Sequence, residues 1–176
     1  MNFHLNYPDL GRFRKLTPQQ VGWLLAEGVR MSAVMRPPIV MLAHGFKADD
    51  GLFEEHAHGE PFLVFPEAED CIFWQPRSGA MATWNGRGFA VGEDLISAAS
   101  TCSFDGNLNV FANPLDWLRW DRDGIVIVNL SLAFDRLRDV PRVAVAESLL
   151  PTYRKHMQPA RMPELFVLRE HKGAAA

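Results

Sequence analysis

Residues 61–91 read PFLVFPEAEDCIFWQPRSGAMATWNGRGFAV, and the punctuation of this stretch decides the fold class. Pro61–Phe65, Cys71–Trp74, Ala80–Trp84 and Phe89–Val91 are short apolar or alternating runs, each closed off by turn residues. Runs this short, bounded by Gly, Pro, Asn and Asp, read as strands, because helices need longer periodic segments. Arg77-Ser78-Gly79 separates the second run from the third, and Asn85-Gly86 closes the third. Both residues of Asn-Gly tolerate positive φ, which a tight hairpin turn demands. The spacing therefore predicts an antiparallel meander over Pro61–Val91.

Outward from this stretch the pattern changes on both sides. Toward the N-terminus, Ile39–Ala43 adds one more strand. Before it, Thr17-Pro18-Gln19-Gln20 offers a capping threonine, proline at the first helical position and glutamine three residues past the cap. That arrangement satisfies the free amides of a helix start. Val21, Leu24 and Leu25 supply an apolar stripe and Gly28 a stop, so a short helix is predicted to cover a sheet.

Toward the C-terminus, Glu93–Ser100 reads as a short helix with an acidic start, favoured by the helix dipole. Asn109–Ala112 is a strand and Pro114–Trp120 a helix opening on proline. Ile125–Val128 is a continuous β-branched run suited to a strand buried on both faces. Leu130–Arg138 is helical, Arg142–Ala146 a strand or turn, Leu149–Met157 helical around Pro151, and Leu165–Leu168 a last strand. Such alternation points to an α/β half. The fold class is α/β of mixed α+β character: an N-terminal helix, an antiparallel meander, then alternating short strands and helices around one core. No repeat and no low-complexity linker divides the chain, so residues 1–176 are expected to form a single domain. Residues 1–16 and 170–176 are expected to be poorly ordered.

Composition sets the outer limits. A chain of 176 residues, 48% hydrophobic and 22% charged, has globular composition. At that size roughly 70% of the unfolded surface is buried on folding, enough for a core without metals or disulfides. The net charge is −3, from 18 basic and 21 acidic side chains, so there is no overall electrostatic case for gripping nucleic acid. Cys71 and Cys102 lie far apart and form no CxxC pair; buried free thiols in a reducing cytoplasm are expected. MNFHLNYPDLGRFRK lacks the apolar stretch of a secretory signal, and no window approaches the ~20 apolar residues that span a bilayer. A cytoplasmic protein with no membrane partner is expected.

Three clusters are candidates for chemistry or recognition. In Glu54-Glu55-His56-Ala57-His58-Gly59-Glu60, alternation along a strand would place His56 and His58 on one face, with Glu60 completing a metal site. A cupin uses an HxH pair followed by glutamate, but its glycine-rich second motif with a late histidine is missing here. An exposed acidic loop between strands accounts for the same residues. Trp117 and Trp120 sit three apart on a helix around Arg119, with Arg122 nearby. Tryptophan with arginine is typical of interface hot spots, although a helix packed on a sheet gives the same spacing. Arg136, Arg138, Arg142, Arg154, Lys155 and Arg161 form a basic set that would suit nucleic acid.

Complete catalytic motifs are missing. GxSxG, SxxK, a cysteine with a nearby partner histidine, GxGxxG and GxxxxGK do not occur, and no cofactor is expected. Glu67, Glu69 and Asp70, with Glu93 and Asp94, read as solvated turns. A divalent-metal nuclease would want an acid-x-Lys where Ala82-Thr83 stands.

The segments GFAVGEDLISAAS, NLNVFANPLDWL and DGIVIVN, within residues 88–129, resemble the TOPRIM domain of phage and plasmid primases. The preceding FLVFPEAEDCIFWQPRSGAMATWNGRGFAVG is similar to the segment leading into it, so the likeness covers about half the chain. It implies a strand, an acidic turn, a helix, a strand, a helix and a strand. It also implies a glutamate after the first strand and an Asp-x-Asp pair after a later one, together holding magnesium. Glu93 matches the glutamate, whereas IVIV runs into Asn129-Leu130-Ser131 and the pair is missing. One carboxylate does not hold hydrated magnesium in fixed geometry, so the resemblance implies a copy without its chemistry. AMATWNGRGFAVGED, PLDWL, RDGIVIV and LRDVPRVAV also resemble uncharacterised proteins of alphaproteobacterial prophages and mobile elements.

The leading expectation is a non-enzymatic accessory protein of a phage or mobile element. It would bind a protein of the replication or defence machinery, or a second copy of itself, through Trp117, Arg119, Trp120 and Arg122. The alternatives are a metal-dependent protein centred on His56, His58 and Glu60, and a nucleic-acid-binding module using the C-terminal basic set.

Overall fold

Thr17 starts the first helix, α1 (Pro18–Ala26), in the computed structural model, which describes residues 6–158. The amide of Gln20 donates to Thr17 Oγ1 at 3.3 Å and the amide of Thr17 to Gln20 Oε1 at 2.8 Å, a reciprocal cap. Leu24 points inward and is fully buried. A second short helix, α2 (Met31–Met35), follows directly; its five residues are too few to leave a periodic signal in the sequence.

The chain then builds an antiparallel sheet. Its strands are β1 (Arg14–Lys15), β2 (Met41–Lys47), β3 (Phe53–Glu55), β4 (Glu60–Pro66), β5 (Cys71–Trp74) and β6 (Met81–Thr83). The order is β1-β2-β4-β5-β6, with β3 also paired to β2. Val64 lies opposite Met41 on one side and Phe73 on the other, and Phe73 lies opposite Ala82. Successive side chains face opposite ways along a strand. Phe62, Val64, Cys71 and Phe73 therefore join Phe13, Phe53 and Trp84 in one cluster. Leu63, Phe65, Ile72 and Trp74 join α1, α2 and the second sheet in another. Burial on both faces is why β4 and β5 read as unbroken apolar runs.

The meander ends sooner than its turn signals imply. Phe89–Val91 is not a fourth strand beside β6, and Asn85-Gly86 closes no hairpin. Residues 84–88 instead carry the chain into a second sheet, made of β7 (Ala90–Val91), β8 (Leu108–Phe111), β9 (Ile125–Ile127) and β10 (Val143–Val145) in the order β10-β8-β9-β7. β8 runs parallel to β9 and β10, whereas β7 is antiparallel to β9. Helix α3 (Pro114–Arg119) connects β8 to β9 and α4 (Ala133–Leu137) connects β9 to β10, with α5 (Leu150–His156) after it. Parallel neighbours need such crossovers. Val126 faces the cluster shared with the first sheet, while Ile125 and Ile127 face a third cluster with Leu108, Val110 and Leu137.

Other expectations shift in detail. The strand expected at Ile39–Ala43 begins at Met41 and runs on to Lys47. The helix expected over Glu93–Ser100 is only a 3₁₀ turn, Glu93–Ile96. Residues 10–15, expected to be loosely held, form a turn and the edge strand β1, with Phe13 buried between Phe73 and Trp84. Leu165–Leu168 and residues 170–176 lie outside the described residues. Among the described residues no helix is long and apolar enough to cross a membrane.

Candidate functional site

The passage between sheets is organised by two carboxylates at the ends of the β4–β5 turn. Asp70 is 0% exposed. Its Oδ1 accepts the amides of Cys71, Trp84 and Asn85 at 2.7, 2.9 and 3.1 Å. Its Oδ2 accepts those of Arg87 and Gly88, each at 2.9 Å. This corrects the solvated reading for Asp70, whereas Glu69 and Asp94 are exposed as that reading expects. A carboxylate can be buried when its lone pairs are filled, and five backbone donors fill them.

Glu67, three residues earlier, holds the start of the second sheet's first turn. Its Oε1 accepts the Gly92 amide at 2.7 Å and its Oε2 the Glu93 amide at 3.3 Å. Gly92 has φ +77°, and a Cβ there would lie 2.6 Å from the Gly124 carbonyl, so the position demands glycine. Burial pushes the Glu67 carboxyl up to about 7 despite those two amide bonds, and Asp94 nearby adds to the rise.

Arg122 approaches from the turn after α3. Its Nη1 donates to the carbonyls of Arg36 and Pro38 at 3.0 and 2.9 Å. Its guanidinium carbon lies 5.4 Å from the centroid of the Trp117 ring. Its Nε is buried with no acceptor. Burial lowers the guanidinium to about 10, and Arg36 beside it adds to the fall. Arg36 itself bonds to the Asp121 carbonyl and lies 3.7 Å from the Asp121 carboxylate. Arg36, Arg122, Glu67 and Asp94 all line a cleft of about 530 Å³, with Phe65, Leu95, Trp117 and the Pro37-Pro38 pair supplying apolar wall. No ion pair within 4.0 Å joins the two acids to the two arginines among the described residues. Tyr7, which lines the cleft, meets Cys71, whose thiol burial pushes up to about 12.

The sequence-derived candidates are placed as follows. His56 and His58 sit in the exposed turn between β3 and β4, not along a strand. The His58 amide donates to His56 Nδ1 at 3.2 Å, the two rings are 6.0 Å apart, and His56 packs on Phe46. Glu60 pairs in register with Gly45 at the start of β4. Among the described residues no three His, Cys, Asp or Glu side chains converge as a metal site would require.

The Trp117–Arg122 group separates. Trp117 is core, its indole donating to the Gly124 carbonyl at 2.6 Å, which the helix-on-sheet alternative allowed. Arg119 bonds to the Glu27 carbonyl and carboxylate and to Asp116. Arg122 faces the cleft, and Trp120 is 63% exposed. Within the basic set, Arg136 pairs with Glu93, Arg138 with Asp139, and Arg142 with Asp105 and the Cys102 and Gly106 carbonyls. Arg154 and Lys155 are exposed on α5, and Arg161 lies outside the described residues.

Comparison with known proteins found no matching family model, no matching curated protein and no matching solved structure. The cleft escaped sequence reasoning because its parts come from five separate segments. The sequence singled out Glu67, Asp94, Trp117 and Arg122 for other roles, and only folding brings them to one cleft.

Proposed function

We propose that this chain is a non-catalytic accessory protein that binds another protein through the face carrying Trp120, Met31 and Met35. The exposed tryptophan carries the reading. Its ring rests 6.0 Å from that of Phe111, a support that limits its freedom before any partner arrives. Met31 and Met35 expose one side of α2, and Ser32 Oγ binds Asp121 Oδ1 at 3.1 Å, tying α2 to the turn that follows Trp120. A rigid aromatic anchor beside adaptable methionines suits an apolar groove on a partner protein. The resemblance of AMATWNGRGFAVGED, PLDWL, RDGIVIV and LRDVPRVAV to prophage and mobile-element proteins supports a phage or mobile-element setting, and we place the partner in replication or defence machinery.

The test is affinity capture from host lysate with wild type and a Trp120→Ala, Met35→Ser variant, alongside native mass. One protein, or a second copy of the chain, should be retained by wild type and lost at least about tenfold in the variant, a change of ~1.4 kcal/mol. The thermal midpoint should stay put. Equal retention by both proteins, or none by either, would remove the reading.

A further inference from the structure

We propose that the cleft between the two sheets binds a small zwitterion, a molecule carrying one ammonium and one carboxylate, such as a free amino acid with an apolar side chain. This does not depend on the Trp120 face. Four charged side chains share this cavity, and the two acids meet neither arginine. Glu67 and Arg122 are half-buried, and opposite charges partly withdrawn from water usually close into pairs, because separation leaves each without its match. Here Glu67, Asp94, Arg36 and Arg122 all line one cavity of about 530 Å³, and neither acid lies within 4.0 Å of either arginine. That volume is within the range of small-molecule sites.

The donors and acceptors are also aimed. Arg122 is held by the Arg36 and Pro38 carbonyls through Nη1, which leaves its buried Nε edge without an acceptor. A carboxylate satisfies that edge by a charge-assisted hydrogen bond. In the same cavity, each Glu67 oxygen accepts one amide and keeps a lone pair, and Asp94 makes no ion pair among the described residues. An ammonium group brings three donors to such acceptors. A simple anion would answer only the arginines and a simple cation only the acids, whereas a dipolar ligand answers both. Phe65, Leu95, Trp117 and the two prolines supply apolar wall for its side chain.

The experiment is calorimetric titration of the full chain with leucine, leucinamide and N-acetylleucine, repeated with phenylalanine and its analogues. Leucinamide keeps only the ammonium and N-acetylleucine only the carboxylate. At least one of the two zwitterions should bind, and both of its capped forms should be weaker by about tenfold or more. Glu67→Gln should weaken the zwitterion yet leave the acetylated form unchanged, and Arg122→Lys should weaken the zwitterion yet leave the amide form unchanged. Capped analogues binding as well as the parent would overturn the proposal, as would absence of binding by both zwitterions up to ~10 mM. Because the analogue series uses the unaltered protein, it decides the matter even if a variant fails to fold.

Discussion

Glu67 and Asp70 stand at opposite ends of one turn and put the same functional group to different ends. Asp70 is sealed from solvent and accepts five amides, so no capacity is left for anything else. Glu67 accepts two amides, borders a cavity and is pushed up to about 7. The contrast separates architecture from recognition: a buried carboxylate with every lone pair filled fixes the chain, and one with lone pairs to spare can meet a ligand.

The strongest way to break this comparison is Asp70→Ala. The amides of Cys71, Asn85 and Gly88 would lose their acceptor, and those of Trp84 and Arg87 would keep only their second bonds to the Cys71 carbonyl and Asn85 Oδ1; unsatisfied buried donors are costly. Folding stability should fall by at least about 3 kcal/mol, read from the urea midpoint. A midpoint unchanged within error would show that water replaces the carboxylate, and Asp70 would lose its structural role. Gly92→Ala comes next. It forces alanine to φ +77° and places its Cβ 2.6 Å from the Gly124 carbonyl, so a loss of about 2 kcal/mol is expected in thermal unfolding.

Glu67→Gln should act least on stability and most on its pH dependence. The folded carboxyl titrates near 7 and its ordinary value is 4.5, so the native state keeps a proton that the unfolded chain releases between them. The resulting stabilisation is complete below pH 4.5 and is lost as pH rises through 7. With allowance for partial solvent contact the amplitude is about 2 kcal/mol. The glutamine variant should flatten that slope; an unaltered pH–stability curve would assign it to another group.

Local chemistry was legible wherever neighbours in sequence settle the matter. Thr17 with Gln20 predicts a reciprocal cap and forms one, and Pro114 opens α3. The apolar runs at β4, β5 and β9 predict buried strands and form them. What failed was anything decided at a distance. Asn85-Gly86 carries a hairpin signal, yet the loop is captured by a carboxylate 15 residues away, and Asn85 also bonds the Glu69 carbonyl. A pattern of hydrophobicity treats Glu67, Glu69 and Asp70 alike, because it does not show which acid will find amides inside the fold. Trp117 and Trp120 share a helical spacing, but only packing decides that one is core and the other exposed.

The loop around Asp70 also inverts a common rule of protein engineering. Irregular surface connections are where a chain ordinarily accepts a tag, a cut or a circular permutation, because their backbone makes few obligations. Residues 84–88 belong to no helix or strand, yet four of their amides are committed to one carboxylate. A splice there would disturb the hinge on which one sheet is laid against the other.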